Sequence, residues 1–263
     1  MAIIDTHIHL DNEAYASDVD KVINDALSEG IKAFLIPGAD PKDLPKALEL
    51  SQKYDEVFFA AGVHPYDCEN FDLELLEKYA ASPKCIAIGE CGLDYYRLPK
   101  DKDEKLQNKE LQKNVFKAQI ELAIKLEKPL IVHIRDASND SKNILIDNEA
   151  SKVGGVLHCY NASEHLLDLS DKNFYFGIGG VVTFKNAKKL VEILPKIPKE
   201  KLLLETDGPY LTPHPFRGSR NEPKYTKLVA SKIAEILDIP QEELEQLTTN
   251  NAKKLFKEFE NIV

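Results

Sequence analysis

Short apolar runs alternate with longer amphipathic stretches along the whole chain, and this alternation limits the fold more than any other feature of the sequence. Eight runs read as strands: Ala2–Asp5, Ala33–Pro37, Val57–Gly62, Cys85–Gly89, Leu130–His133, Gly155–His158, Tyr175–Ile178 and Leu202–Glu205. Most are nearly continuous in β-branched and aromatic residues, as parallel strands covered on both faces must be. Between them lie helical stripes. Leu111, Val115, Phe116, Leu122, Ala123 and Leu126 share one face before Pro129, and Leu228, Val229, Ile233, Ile236 and Leu237 share another before Pro240. A last helix carries Leu244, Leu247, Leu255 and Phe256. The expected architecture is α/β, a TIM (β/α)₈ barrel spanning residues 1–263 as one domain, with an open doubly wound sheet as the alternative. Lys100–Glu110, a mixed-charge stretch, is expected to be a solvated surface loop, with a mobile insertion as the alternative.

Composition excludes several classes. No run approaches the roughly 18 to 20 apolar residues of a membrane span, and the N-terminus is too rich in Asp and His for a signal peptide. Cys68, Cys85, Cys91 and Cys159 form no CxxC pair, so reduced thiols in a cytoplasmic chain are expected. The net charge of −10 argues against broad coating of nucleic acid, but leaves room for a local phosphate site where divalent cations invert the field.

Metal-capable side chains recur at strand ends. His7 and His9 follow the first strand, and a spacing of two points both imidazoles to one side. Glu90 follows the fourth strand, His133 ends the fifth, His158 ends the sixth and Asp207 follows the eighth. Singly, each reads as a hydrogen-bonding residue. Together they converge on the C-terminal face, where barrel enzymes do their chemistry. Four imidazoles and two carboxylates suit two divalent cations sharing one carboxylate, with open positions for water and substrate. Imidazole ligands favour Zn²⁺ or Mn²⁺ over Mg²⁺. Glu90 and Asp207 are the candidate catalytic carboxylates, Asp207 as the acceptor of a water proton. His64, after the third strand, is expected to be a substrate-positioning donor. Arg217, Arg220 and Asn221, in the Pro-rich loop after the eighth strand, are expected to grip an anionic substrate, or else to belong to a salt-bridged surface loop that ties down the following helix. His165 reads as structural, and His214 has no assigned role.

These pieces resemble the TatD family of metal-dependent deoxyribonucleases. The matching segments are Asp5-Thr6-His7-Ile8-His9, Gly62-Val63-His64-Pro65, Gly89-Glu90-Cys91-Gly92-Leu93-Asp94-Tyr95-Tyr96, Pro129 through Arg135, His158-Cys159-Tyr160, Glu205 through Leu211, and Arg217-Gly218 with Asn221-Glu222-Pro223. The resemblance implies hydrolysis of DNA phosphodiester bonds, often as a 3′→5′ exonuclease supported by Mg²⁺, with DNA as the partner. Carried over by motif, His7, His9, Glu90 and Asp207 would hold one ion and Glu90, His133 and His158 the other, with His64 on the substrate. Cys91 and Asn161-Ala162 depart from the usual residues beside two of these ligands and bear on substrate preference. A small-molecule amide, ester or phosphoester hydrolase of the same superfamily is the alternative. A monomer is expected.

Overall fold

The computed structural model describes residues 2–262, so the outermost residues of the expected domain, Met1 and Val263, lie outside the described residues. The strands are β1 (Ile3–Asp5), β2 (Ile31–Ile36), β3 (Val57–Ala61), β4 (Cys85–Asp94), β5 (Leu130–Arg135), β6 (Gly155–Leu157), β7 (Phe174–Ile178) and β8 (Leu202–Leu204). They pair in parallel, in sequence order, as one eight-stranded sheet. The Thr6 amide donates to Leu204 O at 3.0 Å and Ile8 bridges Gly208, so the last strand returns beside the first. Strand order and this return establish the barrel and remove the doubly wound alternative.

The helices are α1 (Val19–Ser28), α2 (Leu44–Lys53), α3 (Leu73–Ala80), α4 (Lys102–Leu126), α5 (Ser138–Asp147), α6 (Lys188–Ile193), α7 (Thr226–Leu237) and α8 (Gln241–Leu255). A 3₁₀ segment, Glu164–Lys172, takes the place of a helix after β6. Small and branched lumen residues, among them Ile4, Ala33, Leu35, Ala60, Ile131 and Val156, pack on Phe256 and Phe259 from the C-terminal segment. These two rings fill the lumen from its N-terminal end and leave the C-terminal mouth for the polar side chains. No helix among the described residues is long and apolar enough to cross a membrane.

Two expectations need correcting. Lys100–Glu110 is not a loop: α4 begins at Lys102, and the Asp101 side chain caps it by accepting from the amides of Asp103 and Glu104 at 2.9 and 3.1 Å. Its mixed charges are simply the solvent face. Strand β4 also runs five residues past Gly89, through the chemistry rather than up to it. Its pairing with β5 shifts register between Ile88 and Cys91, three residues of β4 facing two of β5. That bulge lifts Glu90 out of the regular ladder and turns it into the lumen. Gly89 permits it: its φ is +146°, and a Cβ there would stand 2.5 Å from Ile131 O.

Candidate metal centre

All six expected ligands meet at the C-terminal mouth, around one side chain. The two oxygens of Glu90 face two different sets of imidazoles. Oε2 lies 3.3 Å from His7 Nε2 and 4.0 Å from His9 Nε2. Oε1 lies 2.8 Å from His133 Nδ1 and 3.7 Å from His158 Nε2. Asp207 closes the first set, with Oδ1 3.6 Å from His7 and 3.5 Å from His9. Ligand atoms around one ion with bonds near 2.1 Å are separated by about 3.0–3.5 Å, so most of these gaps are too long for hydrogen bonds and close to what a shared cation needs. Two compact triads result, His7–His9–Asp207 and Glu90–His133–His158. The buried ring of His7 makes no hydrogen bond through either nitrogen. Buried polar atoms left unpaired in this way are rare in folded proteins, and the set of nitrogen and oxygen ligands around them fits divalent transition metals.

The backbone that presents these groups is specialised. Asp207 sits at φ +59°, a left-handed conformation Asp tolerates better than most residues, and its amide donates to His7 O at 2.9 Å. The rings of His7 and His158 stack at 3.5 Å.

Two buried carboxylates absent from the sequence expectations orient the histidines. Asp94 Oδ2 takes His133 Nε2 at 2.9 Å, leaving Nδ1 toward Glu90. Glu205 Oε1 stands 3.2 Å from His158 Nδ1, leaving Nε2 toward the centre, and accepts the Cys159 amide at 2.7 Å. The first is a hydrogen-bonded carboxylate–histidine pair of the kind that fixes tautomer and ring direction in metal sites. The second is a close ionic contact on the same pattern, without hydrogen-bond geometry. Gly177 makes the room, since a Cβ there would lie 2.1 Å from Glu205 Oε2.

Helix α4 holds the site from outside. Gln119 accepts from the Val63 amide at 2.8 Å and donates to Val63 O at 3.1 Å. Gln112 treats Asp94 the same way, at 2.9 and 3.0 Å. Both side chains are buried and two turns apart, so one helix face clamps the residue before His64 and the residue that orients His133.

Charge follows this arrangement. Burial pushes the Glu90 carboxyl up, but the imidazoles of His158, His7 and His133 outweigh it and hold Glu90 well below the usual carboxylate range. Asp207 is likewise held low against its burial, by His9, His158 and His7. His158, despite burial, is driven up to about 10 by Glu205 and Glu90. Burial brings His64 down to about 4. Its Nδ1 accepts from the Tyr66 amide at 3.1 Å, so the neutral ring carries its proton on Nε2, 3.8 Å from Glu90 Oε1. That fixes His64 as a donor into the cavity.

The cavity above the centre, about 770 Å³, is lined by His64, Glu90, His133 and Asp207, with Arg97, Arg135 and Lys189 as its cations. The three loop residues expected to grip substrate are not among its lining residues. Arg220 spends its fork on Asp18 at 2.8 Å and on Glu222 at 3.0 Å. Asn221 is fully buried and donates to Thr206 O and Tyr210 O at 2.8 and 2.7 Å, bracing the loop behind Asp207. Arg217 donates to Thr212 O and lies over the Phe184 ring. These bonds brace the loop itself and join it to the segment around Asp18, not to the following helix. His165 is exposed, and the His214 amide is bonded to Thr183 away from the centre.

Comparison with known proteins agrees with this geometry. The sequence matches the family described as TatD related DNase over residues 4–257. It is 43% identical to the uncharacterized metal-dependent hydrolase YabD of Bacillus subtilis, covering 97% of this chain and 99% of that one. It is 33% identical to the 3′-5′ ssDNA/RNA exonuclease TatD of Salmonella typhimurium, covering 97% and 99%. Among solved structures, the TatD homolog YjjV of Escherichia coli superimposes with a TM-score of 0.88 at 27% identity, covering 97% of this chain and 98% of that one. The chain therefore belongs to the TatD-related DNase family, a family of metal-dependent hydrolases.

Proposed function

We propose that the protein hydrolyses phosphodiester bonds at the ends of single-stranded DNA, as a 3′→5′ exonuclease with two divalent cations, Mg²⁺, Mn²⁺ or Zn²⁺. One observation carries the reading: Glu90 turns its two oxygens toward two separate histidine sets, the disposition of a carboxylate shared by two ions. The exonuclease named among the relatives supports the substrate.

Cations held by His7, His9, Asp207, Glu90, His133 and His158 would polarise the phosphoryl group and lower the pKa of the attacking water. The remaining work belongs to the chain. His64 Nε2–H donates to a non-bridging phosphoryl oxygen and orients it. Asp207, kept ionised by its imidazole neighbours, accepts the proton of the water as the water oxygen bonds phosphorus and the P–O bond to the leaving oxygen breaks. That proton then passes to the leaving oxygen. Asp94 and Glu205 keep His133 and His158 aimed, so little reorganisation accompanies the reaction.

The test is digestion of an end-labelled single-stranded DNA oligomer by EDTA-stripped protein with Mg²⁺, Mn²⁺ or Zn²⁺ restored, beside Glu90→Ala. A ladder growing from the 3′ end, restored by metal and absent in Glu90→Ala, is the expected result. An intact oligomer with every metal, from folded and loaded protein, would refute the assignment and favour a small-molecule hydrolase.

A further inference from the structure

Three cations line the cavity beyond the metal centre: Arg97, Arg135 and Lys189. Unlike Arg220, Arg97 and Arg135 form no salt bridge among the described residues, and Lys189 forms none either, acting on the Glu164 carboxylate only at longer range. Arg135 lies two residues beyond His133 on β5, so it shares that residue's face and stands about 6.6 Å farther along the strand toward the rim. Its guanidinium lies over the Tyr96 ring, 3.7 Å from the centroid, and that of Arg97 lies over Tyr66 at 5.3 Å. Stacking fixes the plane of a guanidinium and leaves its N–H edges open, the form that binds phosphate in a fork.

Aromatic rings flank the same opening. Tyr66 and Tyr210 both line the cavity and are 41% and 54% exposed, an unusual amount for large rings beside a buried polar centre. Each is held in place: Tyr66 packs between the Arg97 guanidinium and the His64 ring, and the Tyr210 hydroxyl accepts from Asn12 at 3.3 Å. Tyr66 stands against His64 and Tyr210 against His9, on the two histidines that border the centre. Phosphate-seeking cations interleaved with tethered rings make the surface on which single strands are held without sequence preference.

We propose that Arg97 and Arg135, with Lys189, bind the phosphate next to the one being cleaved, and that Tyr66 and Tyr210 carry the flanking bases. The site thus recognises a polynucleotide end and not a lone phosphodiester. This rests on the phosphodiesterase reading above and adds the element that selects a chain.

The experiment compares kcat/KM for a short single-stranded DNA oligomer and for bis(p-nitrophenyl) phosphate, both with Mn²⁺. The proteins are wild type, the double variant Arg97→Ala/Arg135→Ala, and Arg97→Lys/Arg135→Lys. In the alanine pair the ratio of oligomer to diester efficiency should fall about tenfold or more, mostly in KM. The slope of log KM against log salt should flatten by about 1.4, from about 0.7 for each lost cation on a single strand. The lysine pair should recover the slope, and part of the efficiency. Equal losses on both substrates, or an unchanged slope, would overturn the subsite while leaving phosphodiester hydrolysis standing. A wild type that cleaves the diester but no oligomer would overturn the subsite and the nuclease reading together.

Discussion

Replacing Gln119 with Leu is expected to damage both stability and substrate handling, although the residue touches no metal ligand. The side chain is wholly buried, and its two polar ends satisfy the amide and carbonyl of Val63, where β3 has run out of strand partners. Leucine is similar in size, so little cavity forms. What is lost is the pairing of two buried backbone groups, each costing about 1–3 kcal/mol when left unsatisfied. The structure therefore implies a loss of about 2–6 kcal/mol, and a Tm lower by about 2–4 °C for each kcal/mol in a chain of this size. Val63 precedes His64, so the freed segment also lets the donor drift, and a shift near 1 Å in a positioning group costs about a hundredfold in rate. Thermal unfolding by circular dichroism and kcat/KM on a labelled oligomer are the two readouts. Gln119→Glu should be worse than Leu, because a buried carboxylate would face Val63 O. A Tm within 2 °C of wild type for Gln119→Leu would refute the clamp.

Other consequences follow from the same geometry. Glu205→Gln, which weakens the hold on His158 without altering volume, should lower metal affinity or activity about 10–100-fold with the fold intact, measured by metal titration and circular dichroism. Metal loading should release protons. His158 is charged in the ion-free protein up to about pH 10 and must be neutral to bind, so apparent affinity should fall as pH drops, and calorimetry in buffers of different ionisation enthalpy should show at least one proton expelled at neutral pH. The same raised pKa stabilises the ion-free fold: the contribution is full below about 6.5 and is lost as pH rises through about 10, so Tm of stripped protein should decline across that window and that of loaded protein should not. Arg220→Ala should lower stability by about 1 kcal/mol while leaving KM for an oligomer within about twofold, since its fork is committed to Asp18 and Glu222.

Side chains whose placement depends on local periodicity were readable from sequence. The eight apolar runs, the i, i+2 spacing of His7 and His9, and the strand-end positions of His133 and His158 are short-range facts, and the barrel assembles them without further information. Long-range partners were not readable. Arg220 looked free because Asp18, its partner, lies 202 positions away, and Asn221 looked available because the loop that buries it is formed by its own hydrogen bonds. Asp94 and Glu205 stood within recognised motifs, yet their task depends on strands β4 and β5 and on the room left by Gly177. The end of β4 was misplaced because Gly89 resembles a strand terminator, whereas here it is the hinge of a bulge. The Lys100–Glu110 stretch was misread for a simpler reason. Its charges hid a helix cap at Asp101 that does show in sequence as Asp followed by Asp103 and Glu104.

The central claim is that one carboxylate organises two ions at this mouth, and anomalous diffraction from Mn²⁺-loaded crystals tests it most directly. Two anomalous peaks are expected, one among His7, His9, Asp207 and Glu90 and the other among Glu90, His133 and His158, with Glu90 contributing an oxygen to each. A single peak, or peaks outside these two sets, would contradict it.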